Sequence, residues 1–164
     1  IILLIISFPL KADNIFVEAE SFDCRGGWVL DNQSMGQMGS PYLLAHGLGV
    51  PVENASTVIR VENGGKYRVW VRTRDWVKQW DQTASPGRFE LLLNGKALEV
   101  TFGTERAEWH WQDGGTICLK TGENRVELRD LTGFDGRCDA IFFTSALEML
   151  PPDGKGELLS LIHI

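Results

Sequence analysis

The chain has 164 residues, which is enough for one domain with a buried core. Hydrophobic residues make up 43% and charged residues 23%, as in an ordinary globular protein, and the formal net charge is −6. The 16 Lys and Arg side chains form no basic block, so the composition argues against nucleic acid as a partner. The 18 Gly and six Trp favour an all-β domain, in which glycine-rich turns join aromatic strands.

The first predicted element is the apolar run at residues 1–10, IILLIISFPL, which is too short to span a bilayer. A small residue, Ala12, follows at a position where a signal peptidase could cut. We interpret residues 1–12 as the remnant of a secretory signal. The protein is then expected to be exported to the periplasm or the extracellular space and to carry no membrane span. A buried first strand is the alternative for this run.

Short apolar segments separated by turn signals occupy residues 16–144. Asn94-Gly95 lies between two apolar runs and is a strong hairpin signal. No long segment has the period of a helix. The pattern therefore predicts an all-β fold, a jelly-roll β-sandwich, over residues 13–144. The predicted strands cover residues 16–22, 42–45, 56–61, 66–74, 88–93, 97–102, 116–119, 125–130 and 138–144.

The strand predicted at residues 66–74 indicates which side chains face the core. Side chains of a strand alternate between its two faces, so one face here is largely apolar and the other carries basic residues. We also expect Trp28 and Trp70 to be buried. The predicted core face carries Tyr67, Val69, Val71 and Thr73, and the opposite face carries Lys66, Arg68, Trp70, Arg72 and Arg74.

Three cysteines in an exported chain leave at least one thiol unpaired. Cys24 follows the first predicted strand and Cys138 begins the last, so a disulfide between them is possible if those strands are neighbours. The alternative, which we favour, is that Cys24, Cys118 and Cys138 are buried free thiols that behave as small hydrophobic side chains.

The C-terminal part of the sequence contains two segments outside the β pattern. Residues 145–158, SALEMLPPDGKGEL, are interpreted as a linker to a further domain. Residues 159–164, LSLIHI, match the translation of a transposon end sequence used in preparing DNA libraries, and we interpret them as an assembly artefact. A genuine short apolar strand is the alternative. On the first interpretation the chain is a fragment of a longer protein.

Acidic residues mark the first and last predicted strands. Glu18 and Glu20 are two positions apart and would point to the same side of a strand, and Asp139 lies at the start of the last strand. Calcium takes about six to eight oxygen ligands, typically carboxylates and backbone carbonyls. The three carboxylates would supply part of that shell if the two strands lie side by side. Three solvated carboxylates are the alternative.

Two short motifs carry a resemblance to a known class of binding module. EAESF at residues 18–22 and CDAIFF at residues 138–143 resemble the opening and closing motifs of family 6 and family 35 carbohydrate-binding modules. The resemblance implies a galactose-binding-like β-sandwich in which Glu18, Glu20 and Asp139 hold a structural calcium ion.

Tryptophan-bearing segments are the candidate ligand surface. Trp76 and Trp80 lie in the long segment 75–87, DWVKQWDQTASPG, and a second pair lies in EWHWQDGG at residues 108–115. Sugar recognition uses aromatic faces together with a few fixed polar groups. The alternative is that these tryptophans cap the core. The predicted ligand-binding residues are Asp75, Trp76, Trp80, Asp81, Trp109, Trp111 and Gln112.

Signatures of an enzyme are missing from the sequence. It contains no GxGxxG, GxSxG or HExxH motif and no P-loop. His46 and His110 have no partner at a spacing typical of a catalytic or metal site. We therefore expect no catalytic residue in this chain.

A longer resemblance covers about residues 16–144. The segments 26–52, 67–76 and 131–144 are similar to the N-terminal domain of exported FAD-dependent oxidoreductases of gut-type Bacteroidetes, and to the binding-like domain associated with golvesin and xanthan lyase. This implies a non-catalytic accessory module that precedes a catalytic domain. FAD would belong to that missing domain, beyond residue 158. A polysaccharide lyase or hydrolase is the other parent considered.

The expected partners are a glycan or glycoconjugate and the missing catalytic domain. The alternative function is a structural spacer that packs on the catalytic domain and binds no ligand of its own. Exposure of the tryptophan loops distinguishes the two, since a binding module would present them in an open site.

Overall fold

The computed structural model describes residues 11–153, so the interpretations of residues 1–10 and 154–164 lie outside it. Within the described range the chain forms ten strands and one short helix. No described helix is long and apolar enough to cross a membrane. The elements are β1 (Asn14–Glu18), β2 (Val29–Asp31), α1 (Met35–Met38), β3 (Tyr42–His46), β4 (Ala55–Val61), β5 (Gly65–Thr73), β6 (Phe89–Leu93), β7 (Lys96–Phe102), β8 (His110–Leu119), β9 (Gly122–Asp130) and β10 (Phe134–Thr144).

The strands form two antiparallel sheets. Five strands of the six-stranded sheet have the order β2-β3-β10-β5-β8. The sixth, β1, lies on the same side of β10 as β3: the first half of β10 pairs with β3 and the second half pairs with β1. The four-stranded sheet has the order β4-β9-β6-β7. The predicted all-β sandwich is therefore confirmed. Its core lies between the sheets and includes Trp28, which meets Phe89 edge to face at 5.6 Å between ring centroids.

The first and last strands are neighbours, as expected. β1 pairs with β10 from Asn14 opposite Thr144 to Glu18 opposite Ala140. The predicted first strand 16–22 is too long, however, because a 3-10 turn at Ala19–Ser21 follows Glu18 directly. Ser21 Oγ donates a hydrogen bond to the Glu18 carbonyl at 2.7 Å and stabilises this turn. Glu20 therefore lies on a turn rather than two positions along a strand from Glu18.

The face of the six-stranded sheet that points away from the core is also covered. Residues 145–153, the covering segment, cross this outer face and bond to it. Arg68 donates to the Leu147 carbonyl at 3.0 Å, and Trp111 donates to the Pro152 carbonyl at 2.9 Å. The side chain of Phe142 on this face is fully buried, and that of Trp70 is 8% exposed. The first nine residues of the predicted linker are thus part of the folded domain.

The cysteines form no disulfide in the described chain. Cys24 lies apart from Cys138, because its backbone forms a bridge with Ser56 of the four-stranded sheet, with N–O distances of 3.0 and 2.7 Å. Cys138 is fully buried, whereas Cys24 and Cys118 are exposed. The expectation of free thiols is confirmed, but the expectation that all three are buried is wrong.

Candidate functional site

Three loops meet at one end of the sandwich, which we call the loop end: residues 46–52, 74–88 and 131–137, where the first range includes the last residue of β3 and the third includes the first four of β10. The Gly47 N–H donates to the Gly133 carbonyl at 3.0 Å, and the Leu131 N–H donates to the Arg88 carbonyl at 3.1 Å. Thr132 Oγ1 also donates to the Pro86 carbonyl. Each loop is therefore tied to a neighbour through backbone groups.

A buried carboxylate fixes two of these loops. Asp130 is 3% exposed, and its Oδ2 accepts hydrogen bonds at 2.9 Å from both the Val52 and the Gly133 N–H. Its Oδ1 accepts from the Thr132 N–H at 3.1 Å. Because hydrogen bonds to a charged acceptor are stronger than neutral ones, this residue stabilises the loop end from beneath.

Asp75 has a similar supporting place under the long loop. It was expected to face the ligand, but its side chain is fully buried. Its Oδ1 accepts from the Val77 N–H at 3.2 Å, and its Oδ2 lies 3.7 Å from Lys78 Nζ. Asp75 can therefore hold the start of the loop but cannot present its carboxylate to solvent.

Trp76 and Trp80 form an aromatic pair at the surface. Their ring centroids are 6.3 Å apart at an interplanar angle of 72°. Trp76 is held from two sides, since its Nε1 donates to the Phe134 carbonyl at 3.2 Å and the Arg137 guanidinium lies 5.6 Å from its ring centroid. Trp80 is 72% exposed. Trp76 thus supports the pair, and Trp80 offers the open ring.

Asp81 follows Trp80 on the same exposed loop. Its Oδ1 accepts hydrogen bonds from the Thr83 N–H at 2.8 Å and the Thr83 hydroxyl at 2.6 Å. These two bonds hold the pKa of Asp81 below its usual value. The carboxylate therefore stays ionised beside Trp80 and orders the turn that follows it.

The structure places the second tryptophan pair away from the loop-end surface. Trp109 is 8% exposed and packs on Tyr42 with ring centroids 4.8 Å apart. Trp111 lies beneath the covering segment. Gln112 is 2% exposed, and its amide is used internally: Nε2 donates to the Thr101 carbonyl at 2.9 Å. Of the seven predicted ligand residues, only Trp76, Trp80 and Asp81 are therefore together at the open surface.

The predicted ligand-binding set lacks several residues that lie at the loop end. Leu48, Val50 and Phe134 are apolar and are 80%, 68% and 51% exposed. His46 Nδ1 and Asp135 Oδ1 are 2.7 Å apart, although 89 positions separate them in the chain. The GLG and GFDG turns were the available signal, since closely spaced glycines mark tight loops.

The backbone at the loop end is strained. Leu48 and Asp135 have φ values of 51° and 61°, in the left-handed region that non-glycine residues rarely adopt. Gly49 has φ of 89°, and an added Cβ there would lie 3.0 Å from the Phe134 ring. Such strain is common at binding sites, where the surrounding structure holds the chain in one conformation.

Two surface depressions lie elsewhere on the domain. One, of about 650 Å³, is lined by residues 11–16 together with Arg60, Glu62, Tyr67 and Phe142. The other, of about 550 Å³, lies between β7 and β8. Neither depression is lined by a tryptophan or by a residue of the loop end.

The three predicted metal ligands are electrostatic neighbours. Burial raises the pKa of Asp139 to about 8, and the negative charge of Glu20 adds to this increase. Burial raises the pKa of Glu20 to about 7, with a further contribution from Glu18. The cation next to them is Arg72, whose Nε is 3.6 Å from Asp139 Oδ2.

Two oxygens in this group fit a cation. Glu20 Oε2 and Asp139 Oδ1 are buried and accept no hydrogen bond within the described residues. Unpaired buried carboxylate oxygens are costly, and hard oxygen ligands suit calcium. No three His, Cys, Asp or Glu side chains within residues 11–153 are already assembled around a common point, however. The side chains of Glu18, Glu20 and Asp139 would have to change conformation to share one ion.

Comparisons with known proteins give structural neighbours only. No protein-family model matches the chain, and no curated protein matches it. A family 35 carbohydrate-binding module from Clostridium thermocellum is 16% identical, with a TM-score of 0.60, and the match covers 80% of this chain and 97% of that one. The C-terminal family 6 module of a marine laminarinase from Zobellia galactanivorans is 17% identical, with a TM-score of 0.61 and coverages of 81% and 100%.

A further neighbour joins such a module to an enzyme. It is a β-(1,4)-mannanase from Podospora anserina, described as GH26-CBM35, with 20% identity and a TM-score of 0.63. The match covers 85% of this chain but only 29% of the mannanase. At such low identities the likeness shows the fold alone. This chain therefore has the jelly-roll β-sandwich fold of family 6 and family 35 carbohydrate-binding modules.

Proposed function

We propose that this chain is a non-catalytic module that binds a glycan or glycoconjugate at the loop end. The observation that carries the proposal is Trp80, whose indole is 72% exposed on a loop anchored by the buried Asp75. An indole face matches the apolar face of a sugar ring, and Asp81 and His46 supply polar groups for hydroxyls. The fold shared with carbohydrate-binding modules supports the same function.

A spacer that packs on a catalytic domain is the second candidate. The observation in its favour is the exposed apolar group of Leu48, Val50 and Phe134, since contiguous apolar surface is common at protein interfaces. In this case the loop end would be buried against the next domain, and Trp80 would contact protein instead of sugar.

We also propose a structural calcium ion at Glu18, Glu20 and Asp139. A divalent cation would offset the burial and the mutual repulsion that raise the pKa values of Glu20 and Asp139. The ion would also be a binding partner for the two buried oxygens that accept no hydrogen bond within the described residues. Since Glu18 ends β1, Glu20 lies on the turn that follows it and Asp139 lies in β10, the ion would join the first strand to the last.

The parent protein is proposed to be an exported enzyme, with the FAD-dependent oxidoreductase favoured over a lyase or hydrolase. The support is the longer resemblance in sequence and the mannanase neighbour, in which this fold accompanies a catalytic domain. The contiguous gene sequence tests the assignment. A strand, a Gly-rich turn and a helix beyond residue 158 would support a dinucleotide-binding domain, and a lyase or hydrolase domain there would contradict it.

The glycan-binding proposal is tested by affinity electrophoresis against a panel of soluble polysaccharides. Trp80→Ala should weaken the retention of the domain about tenfold, since loss of a stacking platform removes on the order of 1 kcal/mol or more. Leu150→Ala is the matched control, because Leu150 is 73% exposed and lies on the covering segment. Equal retention of the two variants, or no retention of the wild type by any polymer, would favour the spacer.

A further inference from the structure

Two arginines at the loop end have no carboxylate partner among the described residues. Arg74 follows β5, and Arg137 lies in β10 opposite Leu44. Within residues 11–153 neither has a carboxylate oxygen within 4.0 Å. Four other strand arginines do have such partners, namely Arg68, Arg72, Arg125 and Arg129, whereas the exposed Arg60 on β4 has none among the described residues.

Arg74 has a hydrogen-bond donor without an acceptor among the described residues. It is half-buried, and its Nε is shielded from solvent without an acceptor in the described part of the chain. Burial lowers the pKa of Arg74, and the positive charge of Arg137 lowers it further. Glu108 and Tyr42 act in the opposite direction but to a smaller extent. The chain neighbours of the two arginines, Thr73 and Cys138, are paired between β5 and β10, so two like charges lie close together in a protein whose net charge is −6.

Arg137 is fixed in position by uncharged groups. Its Nη1 donates to the Asp135 carbonyl at 2.7 Å, and its guanidinium lies over the Trp76 ring. The Asp135 carboxylate is directed to His46 at 2.7 Å. Arg137 is thus held against the aromatic pair while its charge has no carboxylate within ion-pair distance among the described residues.

We propose that Arg74 and Arg137 are the anion-binding part of the loop-end site, so that its ligand is a glycan bearing carboxylate or sulfate groups. The inference rests on the proposed glycan-binding function. The guanidinium fork matches the geometry of both anionic groups, and a half-buried position makes each hydrogen bond stronger than in open water. Trp76 joins the two parts of the site, since Trp80 packs against it and the Arg137 guanidinium lies over its ring.

Matched polymers test the ligand class. Polygalacturonate is compared with the same polymer after methyl esterification, and a sulfated galactan with its desulfated form. Wild-type retention at low salt should be at least tenfold stronger for one acidic polymer than for its neutral partner, and it should fall as the salt concentration rises. The pair that shows the preference identifies the anion as carboxylate or sulfate.

Arginine variants locate the effect. Arg137→Gln and Arg74→Gln should each weaken retention by the preferred acidic polymer about tenfold, which corresponds to about 1.4 kcal/mol. Arg60→Gln is the control, because it removes the same charge from an exposed position on β4. It should stay within about twofold of the wild type, since long-range charge effects are screened by salt.

Two results would overturn the inference. The first is equal retention of acidic and neutral polymers by the wild type, and the second is wild-type retention in both loop-end arginine variants. If either occurs while Trp80→Ala still weakens retention, the glycan-binding function stands and only the anionic ligand class fails. If the wild type is retained by none of the polymers, both proposals fail.

Discussion

Two regions of the molecule place an arginine over a tryptophan, and they differ in what surrounds them. On the outer face of the six-stranded sheet, Arg72 lies 5.9 Å from the Trp111 ring centroid and is paired with two carboxylates beneath the covering segment. At the loop end, Arg137 lies 5.6 Å from the Trp76 ring centroid and has no carboxylate within ion-pair distance among the described residues. The same residue types thus form a closed layer in one place and an open surface in the other.

The comparison shows why residue type alone is a poor guide to a binding site. A covered arginine with satisfied partners contributes to packing, because its charge and hydrogen bonds are already used. An open arginine next to an exposed indole retains unused capacity for a ligand.

The largest expected effect is on stability, in a pair of phenylalanine variants. Phe142→Ala removes a fully buried ring from the outer face and should lower the free energy of unfolding by about 3 to 5 kcal/mol. Phe134→Ala removes a ring that is 51% exposed at the loop end and should cost about 1 kcal/mol or less. Urea denaturation measures both. Similar losses in the two variants would show that the outer face is not a packed layer.

Calcium should have the next largest effect. Binding to the native state alone raises the free energy of unfolding by about 2.7 kcal/mol at a hundredfold excess over the dissociation constant. Asp139→Asn and Glu20→Gln should remove this response. Glu123→Gln, which changes an exposed carboxylate on β9, should retain it. A melting temperature of the wild type that is unaffected by chelator followed by excess calcium would contradict the proposed site.

The acidic group also predicts a pH dependence in the presence of chelator. The native-state pKa values of Asp139 and Glu20, about 8 and about 7, lie above their usual values of 3.8 and 4.5. The native state therefore binds more protons than the unfolded state between these limits. Stability from this group should be complete below about pH 4 and should be lost as the pH rises through 7 to 8.

Variants check the origin of that dependence. Asp139→Asn should flatten the profile of unfolding free energy against pH, because the uncharged amide no longer titrates. A wild-type profile that rises between pH 5 and 8, or an unchanged profile in Asp139→Asn, would show that Asp139 is not protonated in the native domain.

Much of the fold could be predicted because its signals are local. Asn94-Gly95 forms the turn between β6 and β7, and the alternation in β5 buries Tyr67, Val69 and Val71 in the core as expected. The covering segment was interpreted as a linker because nothing in its own composition indicates burial. Its place depends on hydrogen bonds to Arg68 and Trp111, which lie far from it in sequence.

The candidate site could be predicted only in part for the same reason. Trp76 and Trp80 are recognisable because a long tryptophan-bearing loop is unusual. Trp109 precedes β8 directly and Gln112 is its third residue, and the neighbouring strands and loops bury both side chains. His46 and Asp135 meet only when β3 pairs with the start of β10, so neither was identifiable as a partner beforehand.

One measurement examines both regions in a single experiment. The six tryptophans give six indole N–H signals in a heteronuclear NMR spectrum, and an acidic oligosaccharide is titrated into the labelled domain. The signals of Trp76 and Trp80 should move together, while those of Trp70 and Trp111, beneath or beside the covering segment, should remain in place. Movement of the Trp111 signal without movement of Trp80, or no movement at saturating sugar, would contradict the assignment of the loop end as the binding site.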